Sequence, residues 1–132
     1  MRPADAFKKL LAKALSYPGT FKDHPWDHTV VKCSNKKIFV FVDNDDGFSI
    51  TCKLPASSDA AITMFSWAEP TGYGMGEKGW VTSSFGKKDD VPFELFLEWL
   101  EESFHAIAPK RDLKLLPPAP AAASPARKKK RA

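Results

Sequence analysis

Four groups of residues in this chain have types and spacings that could do chemistry. In GYGMGEKGWVT, Gly74, Gly76, Gly79 and Val81 fall at the G-x-G-x-x-G-x-V spacing of loops that close over nucleotide phosphates. His24, Asp27 and His28 in HPWDH offer two imidazoles four residues apart, a spacing that places both on one face of a helix and suits zinc. The DNDDG stretch at 43–47 sets carboxylates beside a glycine, as calcium loops do. Cys33 and Cys52 are the thiols available to a nucleophilic mechanism, and Ser83 and Ser84 are hydroxyls that follow Trp80.

The residues around each group decide against that chemistry. A dinucleotide fold needs a helix directly after its glycines, whereas WVTSSF follows here and reads as a strand. A kinase loop continues to a lysine strand, H-R-D and D-F-G, which this sequence lacks. The glycines are expected to serve tight turns with positive φ, with no nucleotide cofactor. Pro25 and the Pro18–Gly19 pair keep HPWDH in a loop, with His105 remote in sequence. Placing Gly47 at the sixth position of a calcium loop puts Val42 first and Lys53 twelfth, where carboxylates are required, so DNDDG reads as a hairpin turn. Both cysteines alternate with apolar neighbours in strands and are expected to be buried free thiols, and the serines have no nucleophile elbow or adjacent base. The residues therefore predict no metal, no cofactor and no catalytic group.

The elements that position these residues run helix, strands, helix. In ADAFKKLLAKALS, Phe7, Leu10, Leu11, Ala14 and Leu15 recur at helical spacing, with Lys8, Lys9 and Lys13 on the other side. TVVKCSN, KKIFVFVDN and FSITCKL are β-branched and aromatic and predict a three-strand meander. A short helix around 58–65, the glycine segment and a fourth strand, GWVTSSF, follow. The last helix is to be capped by Asp89 or Asp90 with Pro92 in its first turn; Phe93, Phe96, Leu97, Leu100, Phe104 and Ile107 line its apolar face, and Glu94, Glu98, Glu101 and Glu102 the other. In KIFVFVD, strict alternation sends Phe39 and Phe41 to the face opposite Ile38, Val40 and Val42, with Trp80 joining the phenylalanines on a side that two layers leave open.

The chain of 132 residues carries a net charge of +4, but that charge is divided unevenly. Residues 1–108 hold 12 Lys and Arg against 15 Asp and Glu, a net of −3, while 109–132 hold 8 against 1, a net of +7. Residues 117–132 lack aromatics and are rich in proline and alanine, so they have little to bury against the entropy of ordering; a disordered basic tail is expected after a domain spanning 1–116. No apolar run approaches the ~18–20 residues of a membrane span, and the N-terminal lysines interrupt any secretory apolar region. A cytoplasmic location is expected.

YPGT after the first helix, the Trp26 loop, KKIFVFV, SITCKLP, GYGMGEKGWVT and WLEESFHAIAPKR occur in an order that resembles the MmcQ/YjbR-like family over about residues 4–111. That resemblance implies an α+β two-layer sandwich of the CyaY/frataxin shape, a double-wing domain with a mostly antiparallel sheet packed against N- and C-terminal helices. It also implies DNA binding by analogy of fold, and brings no catalytic residues. Frataxin-like iron handling would use an acidic first helix, and here that helix is basic. The resulting expectation is a non-enzymatic protein whose tail, through Arg127, Lys128, Lys129, Lys130 and Arg131 and with help from Lys8, Lys9, Lys13, Lys36 and Lys37, binds DNA or RNA phosphates without reading sequence. The alternatives are a protein-interaction or homodimerising module that uses Phe39, Phe41 and Trp80, and an uncharacterised enzyme whose groups converge from distant positions.

Overall fold

The structure, a computed structural model, describes residues 1–25 and 28–116. It is an α+β two-layer arrangement: one antiparallel sheet of six strands with helices on a single face. In chain order these are α1 (Pro3–Leu15), β1 (Phe21–Asp23), β2 (Val30–Lys32), β3 (Ile38–Asp43), β4 (Phe48–Lys53), α2 (Ser58–Met64), β5 (Ala68–Pro70), β6 (Trp80–Phe85), α3 (Phe93–Ile107) and α4 (Lys110–Leu113). The strand order is β1-β2-β3-β4-β6-β5. The predicted meander forms its centre, and the three-residue strands β1 and β5, which no sequence pattern marked, form its edges.

α1 starts with Pro3 inside its first turn, where a missing N–H costs no intrahelical bond. Its buried line is Pro3, Ala6, Leu10 and Ala14, one position round from the expected stripe, so Leu15 is exposed. The helix stops where Thr20 Oγ1 donates to the carbonyls of Ala14 and Tyr17, and Gly19 turns the chain with φ 77°. The turn at 44–47 joins β3 to β4 as a hairpin. It needs glycine at 47, because φ is 123° and a Cβ there would lie 2.2 Å from the Phe85 carbonyl oxygen.

α3 departs from expectation at its start. Pro92 itself is the N-cap, without a side-chain cap. Asp89 instead accepts a hydrogen bond from the Gly86 N–H at 2.7 Å, and Asp90 pairs with the N-terminal ammonium, which draws its carboxyl below the usual range. From that start α3 buries Phe96, Trp99, Leu100, Ser103 and Phe104 against β3 and β4, while Phe93, Leu97 and Ile107 stay half-buried. One end of the core is a stack of Tyr17, Phe39 and Phe104; the other gathers Phe48, Phe65, Trp67, Phe85, Phe96 and Trp99. Glu102, placed by pattern on a solvated face, ties the entry to α2 by accepting from Ala56 N, Ser57 N and Ser57 Oγ at 2.9, 3.1 and 2.6 Å. In LKLL at 113–116, Leu113 and Leu116 pack against the core on the helix side. The expected disordered tail, 117–132, lies outside the described residues, as does Trp26.

Candidate functional site

The glycine segment forms the connection of the β5–β6 hairpin. Gly74 and Gly79 adopt φ of 76° and 90°, as expected of glycines serving turns, and Tyr73 beside them also has a positive φ of 60°. The N–H groups of Met75, Gly76, Lys78, Gly79 and Trp80 donate to the carbonyls of Gly72, Thr71, Met75, Gly76 and Met75. A phosphate-binding loop keeps such donors free for the anion, and here they close the loop on itself. The strand β6 that follows places no helix N-terminus at the glycines.

The thiols are held in their unreactive form. Cys33 and Cys52 are both free and buried. Burial, with the Asp112 carboxylate second, pushes Cys33 up to about 11. Burial and then Glu102 push Cys52 higher still. Of the histidines, His28 sets Nδ1 3.0 Å from Asp43 Oδ2, whose other oxygen accepts from the Thr29 N–H, while His24 is exposed and Asp27 lies outside the described residues. Among the described residues no three His, Cys, Asp or Glu side chains converge as a metal site would need.

The open sheet face differs from the expectation at one residue. Lys32 pairs with Ile38 and Val31 with Val40, so Phe39 is the extra residue of a β-bulge. The bulge breaks the alternation that grouped Phe39 with Phe41. Phe39 is fully buried on the helix side, 6.0 Å from the Tyr17 ring and 5.3 Å from Phe104, and cannot belong to an interaction surface. Phe41 stays half-buried on the open face with Trp80, ring centroids 6.0 Å apart, and Trp80 is only 9% exposed. Beside them a threonine chain runs Thr51–Thr82–Thr71, with hydroxyl oxygens 3.0 and 2.9 Å apart. Lys32 Nζ donates to Asp23 at 2.7 Å and holds that carboxyl below its usual range. The face is a small aromatic pair set among hydroxyls and ion pairs.

The cationic residues divide into two groups. Lys8 and Lys9 are exposed on α1, and Lys13 sits 5.1 Å over the Tyr17 ring. Lys36 and Lys37 are exposed in the β2–β3 turn, Lys36 with φ 68°. That turn is pinned to the C-terminal helices. Asn35 Nδ2 donates to the Ile107 carbonyl at 3.0 Å, Ser34 Oγ donates to the Asp112 carboxylate, and Arg111 Nη2 reaches Ser34 Oγ at 3.4 Å. Asp112 is 6% exposed, so its contact with Ser34 is largely withdrawn from solvent, with the Arg111 guanidinium beside it. Lys36 and Lys37 therefore share one end of the body with Lys110, Arg111 and Lys114, and the described chain leaves from this end at Leu116. Sequence reasoning counted Lys110, Arg111 and Lys114 as charge and did not join them to the turn. The signal was Asp112, one acid inside a basic segment. Arg127, Lys128, Lys129, Lys130 and Arg131 lie outside the described residues.

With this geometry in hand, comparison with known proteins settles the lineage. The family model described as YjbR matches residues 15–106. The chain belongs to the YjbR family. The YjbR domain superposes on a crystal structure of a Deinococcus radiodurans protein with a TM-score of 0.67 at 22% identity, covering 94% of this chain and 96% of that one. A crystal structure of a Pseudomonas syringae protein matches with a TM-score of 0.54 at 20% identity, covering 75% of this chain and 96% of that one. At these identities the likeness is one of fold. No curated protein matches. Among the described residues no helix of this YjbR domain is long and apolar enough to cross a membrane.

Proposed function

We propose that this YjbR protein is a non-enzymatic, cytoplasmic binder of nucleic-acid phosphates, indifferent to sequence, whose principal contact is the Arg127–Lys128–Lys129–Lys130–Arg131 run. The observation that carries this reading is the position of the exit. The chain leaves the body at Leu116, beside Lys36, Lys37, Lys110, Arg111 and Lys114, so the basic run is tethered to the basic end of an otherwise acidic domain. A phosphate backbone held by the run would find these five cations at the anchored end of its tether. Lys8 and Lys9 on α1 offer further phosphate contacts. The protonated thiols and the self-closed glycine loop favour a binder over a catalyst.

Fluorescence anisotropy with labelled duplex DNA tests this. Neutralising all five residues of the run with Gln should abolish most of the affinity. The pair Lys36→Gln and Lys37→Gln should weaken it several-fold, uniformly over sequences. Unchanged affinity after neutralising the run, or strong discrimination between sequences, would overturn the proposal.

A further inference from the structure

Between α2 and α3 lies an open groove of about 340 Å³. Its floor and walls are Ala60, Ala61, Met64, Phe65, Leu95 and Trp99, and the Met64 side chain is 70% exposed. Glu98 and Glu102 line the groove from α3, and Glu94 stands one turn before Glu98 on the same helix. Like charges at that spacing repel. Among the described residues no ion pair reaches any of these three carboxylates. The groove is thus apolar and aromatic inside, and negatively charged along its edge.

One segment of this chain has the complementary character. Residues 117–126, PPAPAAASPA, are small and proline-rich, and 127–131 are all cationic. Proline-rich segments dock on aromatic-lined grooves because their extended conformation costs little entropy to fix. At ~3.3 Å per residue, the sixteen residues from 117 to 132 reach roughly 50 Å. The fifteen residues of α3 span only roughly 22 Å. The groove is therefore within reach of the exit at Leu116.

We propose that, without nucleic acid, residues 117–132 dock in the α2–α3 groove of their own chain, with proline and alanine against Phe65, Leu95 and Trp99 and the basic run against Glu98 and Glu94. This rests on the reading of the run as the phosphate contact, and it adds a regulation: nucleic acid must displace the tail from the groove. Neutralising the rim then raises nucleic-acid affinity, although the rim never touches the ligand.

The test uses the full chain with a nitroxide on Ala126→Cys; the native thiols are buried and stay unlabelled. Docking predicts paramagnetic broadening of the Met64 methyl and Trp99 indole signals at about 50 mM salt, and its loss at about 500 mM, where charges are screened within a few ångströms. The double substitution Glu94→Gln and Glu98→Gln should also remove the broadening, and should tighten duplex DNA binding about two- to tenfold, the value of one or two surface ion pairs. No broadening at low salt, broadening that ignores both salt and the Gln substitutions, or broadening seen only between labelled and unlabelled copies would overturn docking. Broadening in a chain that binds no DNA would leave docking standing and sink the phosphate-binding reading instead.

Discussion

Two buried serines allow one chemical change to be compared in opposite settings. Ser103 on α3 is fully buried; its Oγ donates to the Phe39 carbonyl and accepts from the Lys53 N–H at 2.8 Å. Phe39 and Lys53 are the residues that would pair next if the β3–β4 ladder ran one step past Val40 and Cys52. The hydroxyl bridges them where the ladder ends. Ser83 on β6 is equally buried, but its Oγ has no hydrogen-bond partner among the described residues. Ser103→Ala strands a buried donor and a buried acceptor, which should cost about 2–4 kcal/mol. Ser83→Ala removes a hydroxyl desolvated without return, and should lie between no change and about 1 kcal/mol of added stability. Urea melts of the full chain read both, with unchanged m values confirming that only stability moved. If Ser83→Ala costs as much as Ser103→Ala, Ser83 has a partner and the accounting fails. A Ser103→Ala loss below about 0.5 kcal/mol would refute the ladder-end bridge.

Other perturbations test other parts of the account. Leu100→Ala opens a hole in a fully buried site and should cost about 2–5 kcal/mol, whereas Phe41→Ala on the half-open face should cost less; equal losses in denaturant melts would place the Phe41–Trp80 face in a closed core. Calorimetry with ATP or NAD should show no saturable binding to the glycine loop, and micromolar binding abolished by Gly76→Val would contradict the reading of its amides as already used. His105 is raised by its hydrogen bond to Glu101 and Glu101 is lowered by His105. The His105 contribution is therefore complete below its ordinary value of ~6.5 and fades as pH rises through the raised one, while the Glu101 contribution is complete above ~4.3 and fades on acidification. Both side chains are about half exposed, so the effect stays under ~1 kcal/mol, and His105→Gln should flatten stability between about pH 6 and 8 and also shrink the Glu101 contribution that is lost on acidification.

Much of the fold was legible because its central elements carry strong periodic signals. The Phe96, Leu100 and Phe104 spacing and the β-branched runs of β3, β4 and β6 leave few ways to bury their apolar sides. The edges were not legible: β1 and β5 are three residues each and become strands only because β2 and β6 offer them unpaired backbone. Phe39 misled the surface reading because a bulge is a property of the β2–β3 pairing, and nothing within IFVFVD announces it. Asp89 and Asp90 misled the cap because Gly86 and the N-terminus, neither adjacent to α3, compete for their carboxylates. The basic end required the Ser34–Asp112 junction, between residues 78 positions apart, which no local pattern contains.

The measurement that tests the central claim most directly is salt-dependent duplex DNA binding by the full chain beside a chain ending at Leu116. Ending there keeps Asp112, Leu113 and Leu116, which are packed into the body, and leaves 15 Lys and Arg against 16 Asp and Glu, a net of −1. If the five cations of the run each neutralise one phosphate, a slope of about −0.9 per contact predicts a loss of roughly 500-fold in affinity for the full chain between 50 and 200 mM salt. The shortened chain should bind almost nothing at either salt concentration. Tight binding by the shortened chain would contradict the account and move the site onto the folded body, with Lys36, Lys37, Lys8 and Lys9 the first residues to replace.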